Sequence, residues 1–255
     1  MIVELSHLRK ASDSARGLNV DNPVGFCIFL GSVSGTLAKT KLRPDLEPLD
    51  ASSVLEYVVD RFHPRLAVAC SFQKESVVVL DLLLRIAPDA RVFTLDTHVL
   101  FPETYDTWRQ LEGRFGIEFE VHEGPSLGRQ AALYGDRLWS RDPDKCCDLR
   151  KVKPLVQALS DVDAWVSGVR RDQSVARAGT AKLAWDGKHE KWKANPLADW
   201  TEADVWRYIS RHDLPYNPLH DQGYASIGCT HCTKPGAGRD GRWAGSDKTE
   251  CGLHA

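Results

Sequence analysis

The sequence predicts an α/β fold, a parallel sheet with helices on both faces, and three observations carry that reading. Short apolar runs alternate with amphipathic stretches from Leu46 onward. Polar groups gather directly after three of the apolar runs, as they do where the strands of an open parallel sheet end at a ligand crevice. A chain of 255 residues, 42% hydrophobic and 27% charged, is long enough to bury a sizeable core.

Residues 1–45 show no sustained periodicity, and Gly31 to Thr36 (GSVSGT) reads as loop, so a poorly ordered extension is expected there. Behind Asp50, Val54, Leu55, Val58 and Val59 fall at helical spacing and predict a helix to Phe62. Arg65 to Cys70 reads as a buried strand, Ser76 to Ala87 as a helix and Arg91 to Asp96 as a second strand. Pro102, suited to a first helical turn, opens a helix to Phe115. A strand over Ile117 to His122, a helix within Lys151 to Leu159 and a strand over Ala164 to Val169 continue the alternation. Thr201 and Asp204 are spaced as a capping box for a last helix to His212. Beyond Pro215 the chain turns rich in Gly, Pro and Cys, and regular structure is expected to end. The reading gives a domain over 46–233 and a mobile tail over 234–255.

Thirty-three basic residues against thirty-five acidic ones leave a net charge of -2, which argues against a nucleic-acid or membrane surface, so an anion site has to be local. No run of eighteen apolar residues is present, and Val24 to Gly31 follows Asp21 rather than a basic segment, so neither a spanning helix nor a signal peptide is read and a cytoplasmic location is expected. Seven cysteines, an odd number, point in a reducing compartment to metal or catalysis before disulfides. Oligomeric state is left open, a homo-oligomer included.

The polar strand ends are Cys70 to Ser76 (CSFQKES), Leu95 to Tyr105 (LDTHVLFPETY) and Ser167 to Arg177 (SGVRRDQSVAR). The first offers backbone N–H groups and hydroxyls to an anion at a helix start, although it is no Walker loop. The third carries Arg170, Arg171 and Arg177, whose planar forks suit phosphate and sulfate oxygens. Each alone reads as well as an ordinary turn; three on one edge favour a pocket.

Cys146 and Cys147 are adjacent, and Cys229 and Cys232 form a CxxC pair. A disulfide between neighbours would be strained, whereas four thiolates in two pairs suit zinc or an iron-sulfur cluster. Neighbouring side chains fit one tetrahedral ion awkwardly, while a four-iron cluster offers each a separate iron. Lys151 stands four residues after Cys147, one helical turn along, where its ammonium can address both the thiols and an anion. The glycine-rich tail carries Arg239, Arg242 and, five positions from the end, Cys251. A thiol so placed is a candidate nucleophile, delivered and released by a flexible segment.

CC with CxxC, RRDQS, RDGRW and ECGLH, in this order, resemble the assimilatory adenylyl-sulfate reductases, over residues 46 to 255. The related phosphoadenylyl-sulfate reductases share the ending but typically lack the four cysteines. The resemblance implies an adenine-nucleotide alpha-hydrolase-like fold and a 4Fe-4S cluster on Cys146, Cys147, Cys229 and Cys232. It implies a nucleotide against Ser71, Phe72, Gln73, Lys74, Leu95, Asp96 and Thr97, and a phosphosulfate group near Lys151, Arg170, Arg171, Arg239 and Arg242. Cys251 would then attack the sulfur of adenylyl sulfate, expel AMP, and yield sulfite to thioredoxin. The chain departs from the family pattern at His98, where glycine commonly follows LDT, and at Ser76, where an acidic residue is frequent. The alternatives are a reductase preferring the 3'-phosphorylated nucleotide and a zinc-stapled nucleotide- or nucleic-acid-binding module.

Overall fold

The computed structural model describes residues 45–254. The expected extension over 1–45 lies outside them but for Asp45. Six strands form one sheet in the order β3-β2-β1-β4-β6-β5, where β1 is Leu66–Ala69, β2 Arg91–Asp96, β3 Glu120–Glu123, β4 Ala164–Val166, β5 Leu183–Asp186 and β6 Lys191–Ala194. All neighbours are parallel except β5, which runs antiparallel to β6.

Helix α1, Ala51–Phe62, begins where the Asp50 side chain accepts the Ser53 N–H at 2.8 Å, and it buries Val54, Leu55 and Val58 at the spacing expected of one face. Helix α2, Lys74–Ile86, starts two residues before the predicted Ser76 and so draws Lys74 and Glu75 into its first turn. Helix α3, Pro102–Phe115, opens on Pro102 and stops at Gly116, whose φ of 65° is the left-handed conformation that closes a helix. The capping box of the last long helix, Glu202–His212, is formed as read, with Thr201 and Asp204 exchanging side-chain and backbone bonds.

Three expectations shift. The third strand begins at Glu120 rather than Ile117, because Phe119 turns inward against Phe72 and Trp108 instead of joining the ladder. The helix expected within Lys151 to Leu159 is divided: α-helical Pro143–Cys147 runs into a wider π turn over Asp148–Val152 and then into α-helical Lys153–Ala158. Strands β5 and β6 were not anticipated. They are four residues each, and in β6 only Trp192 and Ala194 are buried while two lysines alternate with them.

The register places Ala67 opposite Trp165 and Ala69 opposite Phe93. Ala67, Phe93 and Trp165 thereby share one face, which packs on Leu155, Ala158, Leu159 and Val162. The alternate residues Leu66, Val68, Val92, Ala164 and Val166 are buried on the other face, where α1 lies against β1 and β6. Fully burying a side chain such as Leu155 or Phe93 contributes about 1.5–3 kcal/mol. The two covered faces therefore fix the sheet and leave the carboxyl ends of β1, β2 and β4 to build a cavity.

Candidate active site

The cavity opens above those three strand ends, and the β1–α2 turn forms one wall. Phe72 holds a φ of 58°, unusual for a non-glycine residue. Its buried ring offsets that strain by stacking on Trp108 at 5.1 Å and meeting Phe119 edge-on at 5.1 Å. Gln73 Oε1 accepts the Ile227 N–H at 2.8 Å, and Lys74 Nζ donates to the Ala225 carbonyl at 2.9 Å and pairs with Glu202 at 3.0 Å. Gln73 and Lys74 thus tie the Ala225–Ile227 segment down as the opposite wall, while Ser71 stays exposed at the mouth.

Leu95 and Thr97 face this cavity, and Asp96 does not line it. The Asp96 carboxylate instead accepts the His98 N–H at 2.7 Å and the Tyr105 hydroxyl at 2.8 Å. His98 adopts a φ of 58°, the conformation a glycine would take freely, and its ring pairs with Glu123 at 3.2 Å. The Asp96, His98 and Glu123 ligand atoms lie within 4.8 Å of one another, on the β2–β3 edge.

The two adjacent arginines separate. Arg170 is buried in the cavity wall, where it donates to Glu75 Oε1 from Nε at 3.2 Å and Nη2 at 3.1 Å and contacts Asp172. Arg171 does not line the cavity; its guanidinium is held by the Thr180 carbonyl at 2.8 Å and by Glu47. Arg177, left out of the binding set expected from the family resemblance, does line it, together with Arg239, Arg242 and Lys151. Burial and the neighbouring Arg177 push Arg239 down to about 10. An arginine so desolvated gains from any anion that enters.

Cys146, Cys147, Cys229 and Cys232 surround a second, smaller cavity beside the first. Asp142 caps the helix that carries the first pair by accepting the Lys145 N–H at 2.8 Å. Cys229 is brought in by pairing with Leu100, and its thiol lies 3.3 Å from Thr97 Oγ1. Lys151 lines both cavities, although the chain reaches it through a π turn rather than the α spacing expected. Such wide turns concentrate at functional sites because they rotate a side chain off the regular face.

The donor set fits a polynuclear sulfide cluster. Burial, and then repulsion from the other cysteines, raise Cys146 and Cys232 to about 11, so these thiols ionise together only if something cationic binds them. A single zinc with sulfurs at about 2.3 Å would need them about 3.8 Å apart. Among the described residues the four sulfurs are not all within 4.8 Å of one another, wider than that zinc geometry. Arg150, 1% exposed, keeps Nε and Nη2 without partners beside this cavity, and Trp243 Nε1 is likewise unpartnered; acceptor-rich sulfides would satisfy such donors.

Cys251 is buried in the wall of the first cavity, in a cluster with Cys147 and Trp243 against which Cys232 and Leu253 pack. Burial raises its pKa, but Lys151, a hydrogen bond from the Leu253 backbone and Arg242 together hold it below the ordinary thiol value. The tail is seated in this structure, with the His254 ring stacked on Trp165 at 5.8 Å and 11°. Trp165, which also lines the cavity, was missed by the sequence reading because it falls in a predicted strand and reads as core; Ser167 is noted there only as the start of a polar strand end, and Glu250 and His254 only within ECGLH, with no role given to any of the three.

Residues 65–235 match the phosphoadenosine phosphosulfate reductase domain. The chain belongs to this family. Within it, the chain is 47% identical to the adenosine 5'-phosphosulfate reductase of Salinibacter ruber over 84% of its own length and 87% of the relative's. To adenosine 5'-phosphosulfate reductase 1 of Bacillus subtilis it is 47% identical over 80% and 90%. The phosphoadenylyl-sulfate reductase of Candida auris, solved with phosphate, superposes with a TM-score of 0.66 at 30% identity, covering 73% of this chain and 91% of that one. Candida glabrata FMN adenylyltransferase, 13% identical with a TM-score of 0.54 over 73% and 65%, shares the fold alone. The family's adenine-nucleotide alpha-hydrolase-like architecture is the one described here. Among the described residues no helix is long and apolar enough to cross a membrane.

Proposed function

We propose that the protein reduces adenylyl sulfate to sulfite and AMP, with thioredoxin as reductant, in the assimilation of sulfate. The observation that carries this reading is the position of Cys251: its thiol stands in the wall of a basic cavity, beside the four-cysteine pocket, with Lys151 lining both.

In this reading the nucleotide lies along the β1–α2 turn and the end of β2 and turns its phosphosulfate toward Lys151, Arg170, Arg177, Arg239 and Arg242, all of which line the cavity. The Cys251 thiolate attacks the sulfur of the sulfate group; an S–S bond forms, the S–O bond to the phosphate breaks, and AMP leaves with the electron pair. The cations disperse charge on the surrounding oxygens. A thioredoxin thiolate then attacks Cys251 Sγ, sulfite leaves with the electron pair, and the second thioredoxin thiol resolves the mixed disulfide. The dithiol is oxidised and sulfur passes from the sulfate to the sulfite level. For the second step the tail over 234–255 swings away from the 46–233 domain, whose reducing partner suits a cytoplasmic setting.

Cys146, Cys147, Cys229 and Cys232 would hold a 4Fe-4S cluster, which when bound supplies a staple between their two segments and a fixed charge beside Lys151. The test is sulfite release by anaerobically purified, iron-loaded protein. Release from adenylyl sulfate that requires thioredoxin supports the reading. Preference for the 3'-phosphorylated nucleotide would favour the related activity, and a colourless zinc protein without turnover would favour a structural role for the cysteines.

A further inference from the structure

Glu250, the residue before Cys251, does not line the cavity itself but binds two of the arginines that do, Arg177 and Arg239. Arg177 grips its carboxylate with two parallel bonds, Nε to Oε1 and Nη2 to Oε2, each 2.9 Å, and Arg239 Nη2 adds a third at 2.9 Å. The three side chains are largely enclosed, at 17%, 10% and 15% exposure. Arg177 is itself braced, because its Nη1 donates at 2.6 Å to Gln173 Oε1, which also accepts the Arg170 N–H at 3.1 Å. Beyond Cys251 the tail has further contacts: Lys188 donates to the Gly252 carbonyl at 2.6 Å, Leu253 packs against the core, and His254 lies on Trp165 with its Nδ1 3.1 Å from Lys193 Nζ.

Fork-to-fork pairs between arginine and carboxylate fix orientation as well as distance. Here the fork reaches from the sheet edge to the residue bonded to the reacting cysteine. We infer that Glu250 is a positioning residue, a latch that seats the tail through Arg177 and Arg239 and so holds Cys251 in the cavity wall; as a role in turnover this rests on Cys251 being the nucleophile. The latch leaves donors free for a substrate anion, since Glu250 takes one of Arg239's five N–H groups and Arg239 Nε is buried without a partner. The same arginines can then serve tail and substrate at once, and release of the tail requires breaking three bonds at one carboxylate.

The test is the rate at which iodoacetamide labels Cys251 in the iron-loaded, full-length protein without substrate, read on the tryptic peptide 249–255. Glu250→Gln keeps the shape and removes the charge; labelling should quicken about tenfold or more, the scale of a lost charge-assisted contact, with Glu250→Asp in between. Loss of a negative charge also favours the Cys251 thiolate, so Arg177→Met supplies the opposing control. Removing that cation disfavours the thiolate yet opens the latch. Faster labelling in both single variants, and no further gain in the double variant, is the expected result. Labelling at the wild-type rate in Glu250→Gln, or slower labelling in Arg177→Met, would overturn the latch. The nucleophile assignment is read separately, from adduct formation on Cys251 with adenylyl sulfate in the wild-type protein, so each can fail without the other.

Discussion

Lys193 Nζ lies 3.1 Å from His254 Nδ1 and sits 4.7 Å from the centroid of the Trp165 ring. Strand β6 therefore adds an ammonium to the stacking on Trp165 of β4 that holds His254. Burial pulls the Lys193 pKa down to about 8, and burial also holds His254 well below its ordinary value, so the imidazole is the neutral acceptor of this pair.

A pH dependence follows from Lys193. Below about pH 8 the lysine is protonated whether the chain is folded or not, and the folded state carries the full desolvation penalty. Between about 8 and 10.5 the unfolded chain holds the proton that the folded one has released, so this contribution to stability rises with pH. In Lys193→Met it is absent. The wild type should gain on the variant by on the order of 1 to 3 kcal/mol between pH 7 and pH 10, measured by denaturant unfolding of both. A constant difference would show that Lys193 is not desolvated.

Cys146→Ser and Cys232→Ser should each lose most bound iron and sulfide, because one ligand fewer leaves the remaining thiols without a full set of bonds to the group they would hold. Iron and acid-labile sulfide assays on anaerobically prepared protein check this. Full iron content in either variant would remove that residue from the ligand set.

The chain between the CxxC pair and the tail depends on one close approach. A Cβ on Gly241 would stand 1.9 Å from the Lys234 carbonyl oxygen, and the two residues also pair through Lys234 N–H and Gly241 O at 2.9 Å. Since both sides are backbone, neither yields cheaply. Gly241→Ala should destabilise by about 1–3 kcal/mol, as overpacking does, and should slow sulfite formation by displacing Arg239 and Arg242. Thermal melts and turnover at wild-type values would contradict the contact.

The parallel sheet was legible because β1, β4 and the middle of β2 are buried on both faces and leave short, mostly apolar runs in the sequence. Strands β5 and β6 were not legible, since Lys191 and Lys193 interrupt a strand of four and the pairing with β4 is a long-range fact. The cysteine pairs, Lys151 and the tail arginines could be picked out from residue type and spacing. Direction could not: Arg170 and Arg171 are neighbours, yet one turns to Glu75 in the cavity wall and the other to Thr180 and Glu47. Asp96 reads as a strand-end ligand but is bound by Tyr105 and the His98 backbone. Glu250 gains its meaning only when the fold brings Arg177, 73 positions away, against it.

The proposed chemistry turns on Cys251. Iron-loaded protein incubated with adenylyl sulfate and no thioredoxin should gain one sulfonate group, located by mass spectrometry on the peptide of residues 249–255. AMP release should stop at about one equivalent per site, as a covalent intermediate waiting for its second reactant requires. Reduced thioredoxin should then release sulfite and restore the thiol, and Cys251→Ser should keep its iron but form no adduct. An adduct on Cys70, or sulfite formation by Cys251→Ser at the wild-type rate, would contradict the mechanism.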